Sequence, residues 1–176
     1  MNGRNALLIV SVCLLFALLV VGAAVTAGNF GAECGVNVLQ QDWPLCNGHL
    51  FPPLALGPMV EYSHRILASL SALFLILTTV SFSRARPPKP RERALVYAAT
   101  ALIFVEIGVG GVVVNTNLSA AVVTLHQALA ILIFGLAVAA AAKALQKPGA
   151  PGDAGAALSP LTPASVLRNS VASHEG

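Results

Sequence analysis

Residues 58–82 read PMVEYSHRILASLSALFLILTTVSF. A polar head, Glu61-Tyr62-Ser63-His64-Arg65, runs directly into the uncharged stretch 66–82, 17 residues long. A helix rises about 1.5 Å per residue, so about 20 residues cross a bilayer core of about 30 Å. With the apolar residues just before the head, this segment is long enough to span, starting near Pro58. In hydrocarbon the backbone must satisfy its own hydrogen bonds, so the span is a helix. Its outer end then carries ionisable groups into the membrane, which is costly and points to a buried function.

Three further runs resemble it in length. Residues 6–27 contain no charge over 22 positions. Residues 94–114 contain one, Glu106, and residues 118–142 carry only His126 and Gln127 as strongly polar members. The chain of 176 residues is 56% hydrophobic and only 10% charged, with a mean hydropathy of +0.79. Soluble domains run near a quarter charged. The expected fold is therefore an all-α membrane protein, a four-transmembrane-helix bundle within a domain of residues 1–146. Its helices are expected near 6–27, 58–82, 94–114 and 118–143, with an extracytoplasmic loop at 28–57. The first run exceeds the usual 7–15 apolar residues of a signal-peptide core, so it reads as a retained helix. Residues 147–176, rich in Ala, Gly, Pro and Ser, read as a disordered cytoplasmic tail.

The charges set the orientation. Net charge is +3, and nine of the ten basic residues fall on one side of this topology. They are Arg4, Arg84, Arg86, Lys89, Arg91, Arg93, Lys143, Lys147 and Arg168. The positive-inside rule places that side, with both termini, in the cytoplasm. Basicity distributed this way argues for membrane topology and against a nucleic-acid partner. The exception is Arg65, in the outer end of the second helix.

The chemistry is expected on the outer side. The long outer loop carries Cys34, Cys46, Trp43 and His49. Two cysteines on the extracytoplasmic face sit where disulfides persist, and a bridge is the favoured reading. Two free thiols, or a metal site with His49, are the alternatives. Cys13, inside the first run, reads as a small apolar residue. There is no CxxC, which weakens a disulfide-exchange function.

Within the membrane, His64 and His126 lie at similar depth on different helices, which suits axial ligation of a haem iron between them. The alternatives are interhelical hydrogen bonds, or a metal site with a carboxylate. Glu61 lies one turn before His64 on the same face. Glu106 reads either as a proton-carrying group or as a hydrogen-bonding partner. Gly108, Gly110 and Gly111 would let a flat macrocycle approach the backbone, or would serve plain helix packing. Arg65 suits a haem propionate, or snorkels to the interface.

Asp42-Trp43-Pro44-Leu45-Cys46-Asn47-Gly48, Glu61-Tyr62-Ser63-His64-Arg65, Gly110-Gly111-Val112-Val113, Leu118-Ser119-Ala120 and Thr124-Leu125-His126 together resemble the heme A synthase family in order, spacing and helix placement. The resemblance covers roughly residues 20–145. It implies a membrane oxidoreductase that oxidises a methyl group of haem O to a formyl group, giving haem A for terminal oxidases. It implies Glu61 as a catalytic residue, His64 and His126 as axial ligands, Cys34 and Cys46 as the extracytoplasmic pair, and Arg65, Gly108 and Gly111 as haem contacts. The cofactor it implies is haem, as resident haem b, substrate haem O, or both. Haem O synthase and a terminal oxidase are the implied protein partners in the cell membrane.

The sequence departs from the family in three ways. It carries one histidine pair where typical members carry two, a glutamate at position 106 where an amide is expected, and a wider cysteine spacing. The first departure implies a homo-oligomer, with a dimer favoured. Two other classes fit the same residues: a four-helix b-type cytochrome that carries electrons, and a haem-holding oxidase assembly factor without catalysis.

Overall fold

Asn2 opens the first helix by accepting the Asn5 N–H on its side chain at 3.3 Å, the usual way an N-cap satisfies an orphan donor. α1 then runs Gly3–Ala27. It stops where Asn29 enters the left-handed region at φ 54°, a conformation Asn tolerates. In the computed structural model, which describes residues 2–35, 45–85 and 90–146, three more helices follow: α2 (Leu56–Ser83), α3 (Pro90–Asn115) and α4 (Ala120–Leu145). Pro58 and Pro90 both fall in first turns, where no intrahelical N–H is needed. α4 starts two residues past the beginning of its apolar run, because Asn117 and Leu118 both take positive φ, 51° and 60°. Residues 36–44 (with Trp43), 86–89 and the expected tail at 147–176 lie outside the described residues.

All four helices are long and apolar enough to cross a membrane. This is an all-α, multi-pass membrane bundle. Among the described residues there is no strand, only an isolated bridge between Cys46 and His49. α1 packs on α2 and α4, and α3 packs on the same two helices. The diagonal pairs, α1 with α3 and α2 with α4, do not touch. Large apolar side chains such as Phe16, Phe104 and Leu125 face outward, as a lipid-facing surface requires.

The core fills only part of the bundle. One cluster, Leu8, Phe82, Val96, Ala140 and Ala144, closes the end where α1 and α3 begin. A second, including Leu15, Leu75, Ile103 and Ile133, fills the middle. Hydroxyls link helices beside these clusters: Ser11 to Thr78 at 3.0 Å and Thr79 to Thr100 at 2.7 Å. Such short polar contacts between small residues are a common means of association in lipid. Beyond Leu15 and Ile103, toward the opposite end, the helices enclose a cavity instead of a core.

Candidate functional site

The cavity has a volume of about 1090 Å³ and is lined by all four helices. That is at the upper end of the roughly 300–1,000 Å³ of small-molecule sites. Its walls are largely apolar, with Glu61, His64, Arg65, Glu106 and His126 as the ionisable members. His64 stands eight residues into α2, about 12 Å along its axis. His126 stands six residues into α4, about 9 Å along. Because α2 and α4 are diagonal, the two imidazoles approach the cavity from opposite corners.

Each imidazole rests on a glycine of the neighbouring helix. A Cβ built on Gly22 of α1 would lie 3.0 Å from His64 Cε1, and one on Gly110 of α3 would lie 3.2 Å from His126 Cε1. A Cβ at either position would require the ring to yield by a few tenths of an ångström. The sequence reading named Gly108 and Gly111 as haem contacts. Both line the cavity, but the glycine against the histidine is Gly110. Gly22 was missed altogether. Its one signal was being the sole glycine of the first apolar run.

Over the His64 side of the cavity lie the described parts of the loop between α1 and α2, residues 28–35 and 45–55. Cys34 and Cys46 are joined in a disulfide, with Cα atoms 4.6 Å apart. That consumes both thiols and removes them as metal ligands; His49 is exposed and contributes its backbone to the bridge with Cys46. Among the described residues, no group of three His, Cys, Asp or Glu side chains gathers to hold a bare metal ion.

Glu61 and Arg65 tie this loop to α2. One Glu61 oxygen, Oε2, accepts the Cys34 backbone N–H at 2.8 Å, and the other, Oε1, accepts from Arg65 Nη2 at 2.6 Å. Arg65 Nη1 donates to the Leu45 carbonyl at 2.9 Å. The buried pair therefore grips the loop at both cysteine-bearing ends. This explains the basic residue at the cavity end of α2: Arg65 does not snorkel away from the bundle but is folded inward onto Glu61 and Leu45. On the opposite wall, His126 Nδ1 lies 3.0 Å from Glu106 Oε1. Gln127 reaches across to Thr26 Oγ1 at 3.2 Å, linking α4 to α1.

The residues present fit a haem. Two imidazoles face one cavity from diagonal helices, two glycines seat the rings, and the remaining lining is mainly aliphatic. The donors required by a hexacoordinate iron and the space required by its macrocycle occur together.

The disulfide leads to a direct expectation. Alkylation without reductant should modify at most Cys13, the free and exposed cysteine. Cys34→Ser should lower stability by about 3 kcal/mol on the chain-entropy account, measured by thermal unfolding in detergent. Ready labelling of Cys34 and Cys46 in native membranes would contradict the bridge.

Fold and site define a multi-pass membrane protein with a histidine-walled cavity in one half of its bundle. The pattern of the cytochrome oxidase assembly protein family (COX15-CtaA) matches residues 57–168, and the chain belongs to that family. It is 26% identical over 138 residues to the heme A synthase of Symbiobacterium thermophilum, covering 78% of this chain and 44% of that protein. To the heme A synthase of Alkalihalophilus pseudofirmus it is 34% identical over 121 residues, covering 67% and 38%. It also matches a protoheme IX farnesyltransferase of Halobacterium salinarum, 30% identical over 128 residues, covering 73% of this chain and 27% of that protein. The chain thus spans less than half the length of these relatives. No solved structure matches it.

Proposed function

We propose that this protein acts in haem A formation as a membrane oxidoreductase, taking haem O as substrate and oxidising one of its methyl groups to a formyl group. The observation that carries the reading is the pair His64 and His126, facing one cavity across the diagonal of the bundle, with Glu61 one turn from His64 on the same wall. The similarity to two proteins named heme A synthase supports it.

In this reading His64 and His126 hold the iron of a haem, either resident haem b or the substrate. When bound, the haem supplies the redox-active iron. The protein's own part is positional. Gly22 and Gly110 let the imidazoles sit close to α1 and α3, the aliphatic walls exclude water, and the disulfide loop covers the His64 side. Glu61 is placed to hold or move a proton at its carboxylate near the ring edge. Arg65 keeps that carboxylate oriented and offers positive charge for a propionate.

Topology and partners belong to the same proposal. Of the described basic residues, all but Arg65 (Arg4, Arg84, Arg91, Arg93 and Lys143) cluster at the end away from the cavity. The positive-inside rule puts that end in the cytoplasm and the cavity on the outer side. The partial match to a protein named protoheme IX farnesyltransferase supports proximity to the step that supplies haem O. A terminal oxidase would receive the product. Two copies would pair about an axis along the membrane normal, the commonest closed symmetry.

The test is haem extraction after co-expression of the full chain with a haem O synthase. Haem A should appear. A haem complement of only B and O would replace the enzyme with an electron-carrying cytochrome or a haem-holding assembly factor. Mass measurement of the same sample in mild detergent, with haem quantification, decides the dimer: an active species of one chain and one haem would exclude it.

A further inference from the structure

We infer that Glu106 is a positioning residue that strengthens His126 as a ligand, so that the two sides of the haem site are chemically unequal. The inference rests on the proposed ligation by His64 and His126.

The two histidines have matching seats with different chemistry. On α1, the Gly22 position takes the His64 ring, and His64 Nδ1 has no hydrogen-bond partner among the described residues. On α3, Glu106 and Gly110 are four residues apart and share a face. The Gly110 position takes the His126 ring, and Glu106 Oε1 stands 3.0 Å from its Nδ1. A carboxylate thus stands beside the Nδ1 of one imidazole and no side-chain or backbone partner is bonded to that of the other.

Glu106 is buried, about 14 Å from the end of α3. Its second oxygen, Oε2, has no hydrogen-bond partner among the described residues. A carboxyl group in the membrane with only an imidazole beside it is an expensive arrangement unless that contact is used.

Ligating histidines generally donate their free ring N–H to a carboxylate or carbonyl, which fixes the tautomer and raises ligand basicity. With Nε2 on the iron, Nδ1 would carry the proton, and Glu106 Oε1, now 3.0 Å away without a formed hydrogen bond, would accept it once the two groups aligned. A carboxylate acceptor leaves the imidazole more electron-rich than a neutral acceptor does. The more basic ligand favours the ferric over the ferrous state, so Glu106 lowers the reduction potential of the bound haem.

The experiment compares wild type, Glu106→Gln and Glu106→Asp as purified full chains loaded with haem b. Each is followed by potentiometric titration and by its low-spin optical spectrum. Gln keeps the acceptor oxygen and the shape but removes the carboxylate. A tenfold loss of ferric preference in Glu106→Gln is expected, an upward shift of about 59 mV for a one-electron couple. Haem affinity should fall about tenfold, at the low end of such changes. Glu106→Asp should shift the potential in the same direction by less. A folded, low-spin Glu106→Gln with unchanged potential overturns the inference. Failure of both variants to accumulate as folded protein also overturns it, by making Glu106 a packing residue. A wild type that binds no low-spin haem, or an unchanged spectrum in His126→Ala, defeats the ligation itself.

Discussion

The low-spin haem signal disappears from His64→Ala and from His126→Ala, each alone. Both side chains project from diagonal helices into one cavity, and neither has a second imidazole near enough in the described residues to replace it. Loss of either leaves the iron with one protein ligand. Haem retained through purification should fall by more than the roughly 10–100-fold that accompanies a change in a ligand's supporting partner. The Gly22 and Gly110 seats make the two losses distinguishable in principle, because each removes the filler of a different corner. Optical and paramagnetic-resonance spectra of the purified variants provide the measurement. Unchanged low-spin spectra in both would remove the haem from this cavity.

Glu61→Gln is the second large effect. The carboxylate has two structural partners, the Cys34 N–H and Arg65. Gln keeps one acceptor oxygen, enough for Arg65 or for the Cys34 N–H but not for both, so the loop should be held more weakly while haem still binds. What Gln cannot do is take up and release a proton. Positioned acid–base groups contribute about 10²–10⁴-fold in rate, so haem A production should fall about 100-fold or more at undiminished haem content. Glu61→Ala serves as the contrast. It removes both acceptor oxygens, leaving the buried Arg65 guanidinium and the Cys34 N–H without them, and breaking one side of a buried pair costs about 3–5 kcal/mol. Haem A output and haem content, measured side by side, separate the two roles. Full activity in Glu61→Gln would leave Glu61 as the anchor of the Cys34–Cys46 loop and nothing more.

That double use of Glu61 marks the limit of the sequence. Its place one turn before His64 was legible, because i and i+3 or i+4 positions share a helix face whatever surrounds them. Its partners were not, since Cys34 lies 27 residues away and the intervening loop has no periodicity from which to reckon a path. Arg65 shows the same division. The positive-inside pattern singled it out as an exception, yet only the folded chain supplies the Leu45 carbonyl and Glu61 that hold it.

Four spans, their order and the side on which basic residues collect followed from the sequence alone. Bilayer thickness imposes a length on each apolar run, and the cost of charge in hydrocarbon leaves Lys and Arg at the ends. The depth of His64, His126 and Glu106 followed too, because a helix converts residue count into distance. The rotation of each helix did not. In a soluble bundle a polar stripe tells which face is outside, but here lipid and core are both apolar and the stripe is missing. The seating of His64 on Gly22, the approach of Glu106 to His126 and the diagonal placement of α2 and α4 therefore depend on side-chain packing between helices distant in the chain. Those contacts belong to the tertiary structure, and they alone turn two half-buried histidines into the opposite walls of one cavity.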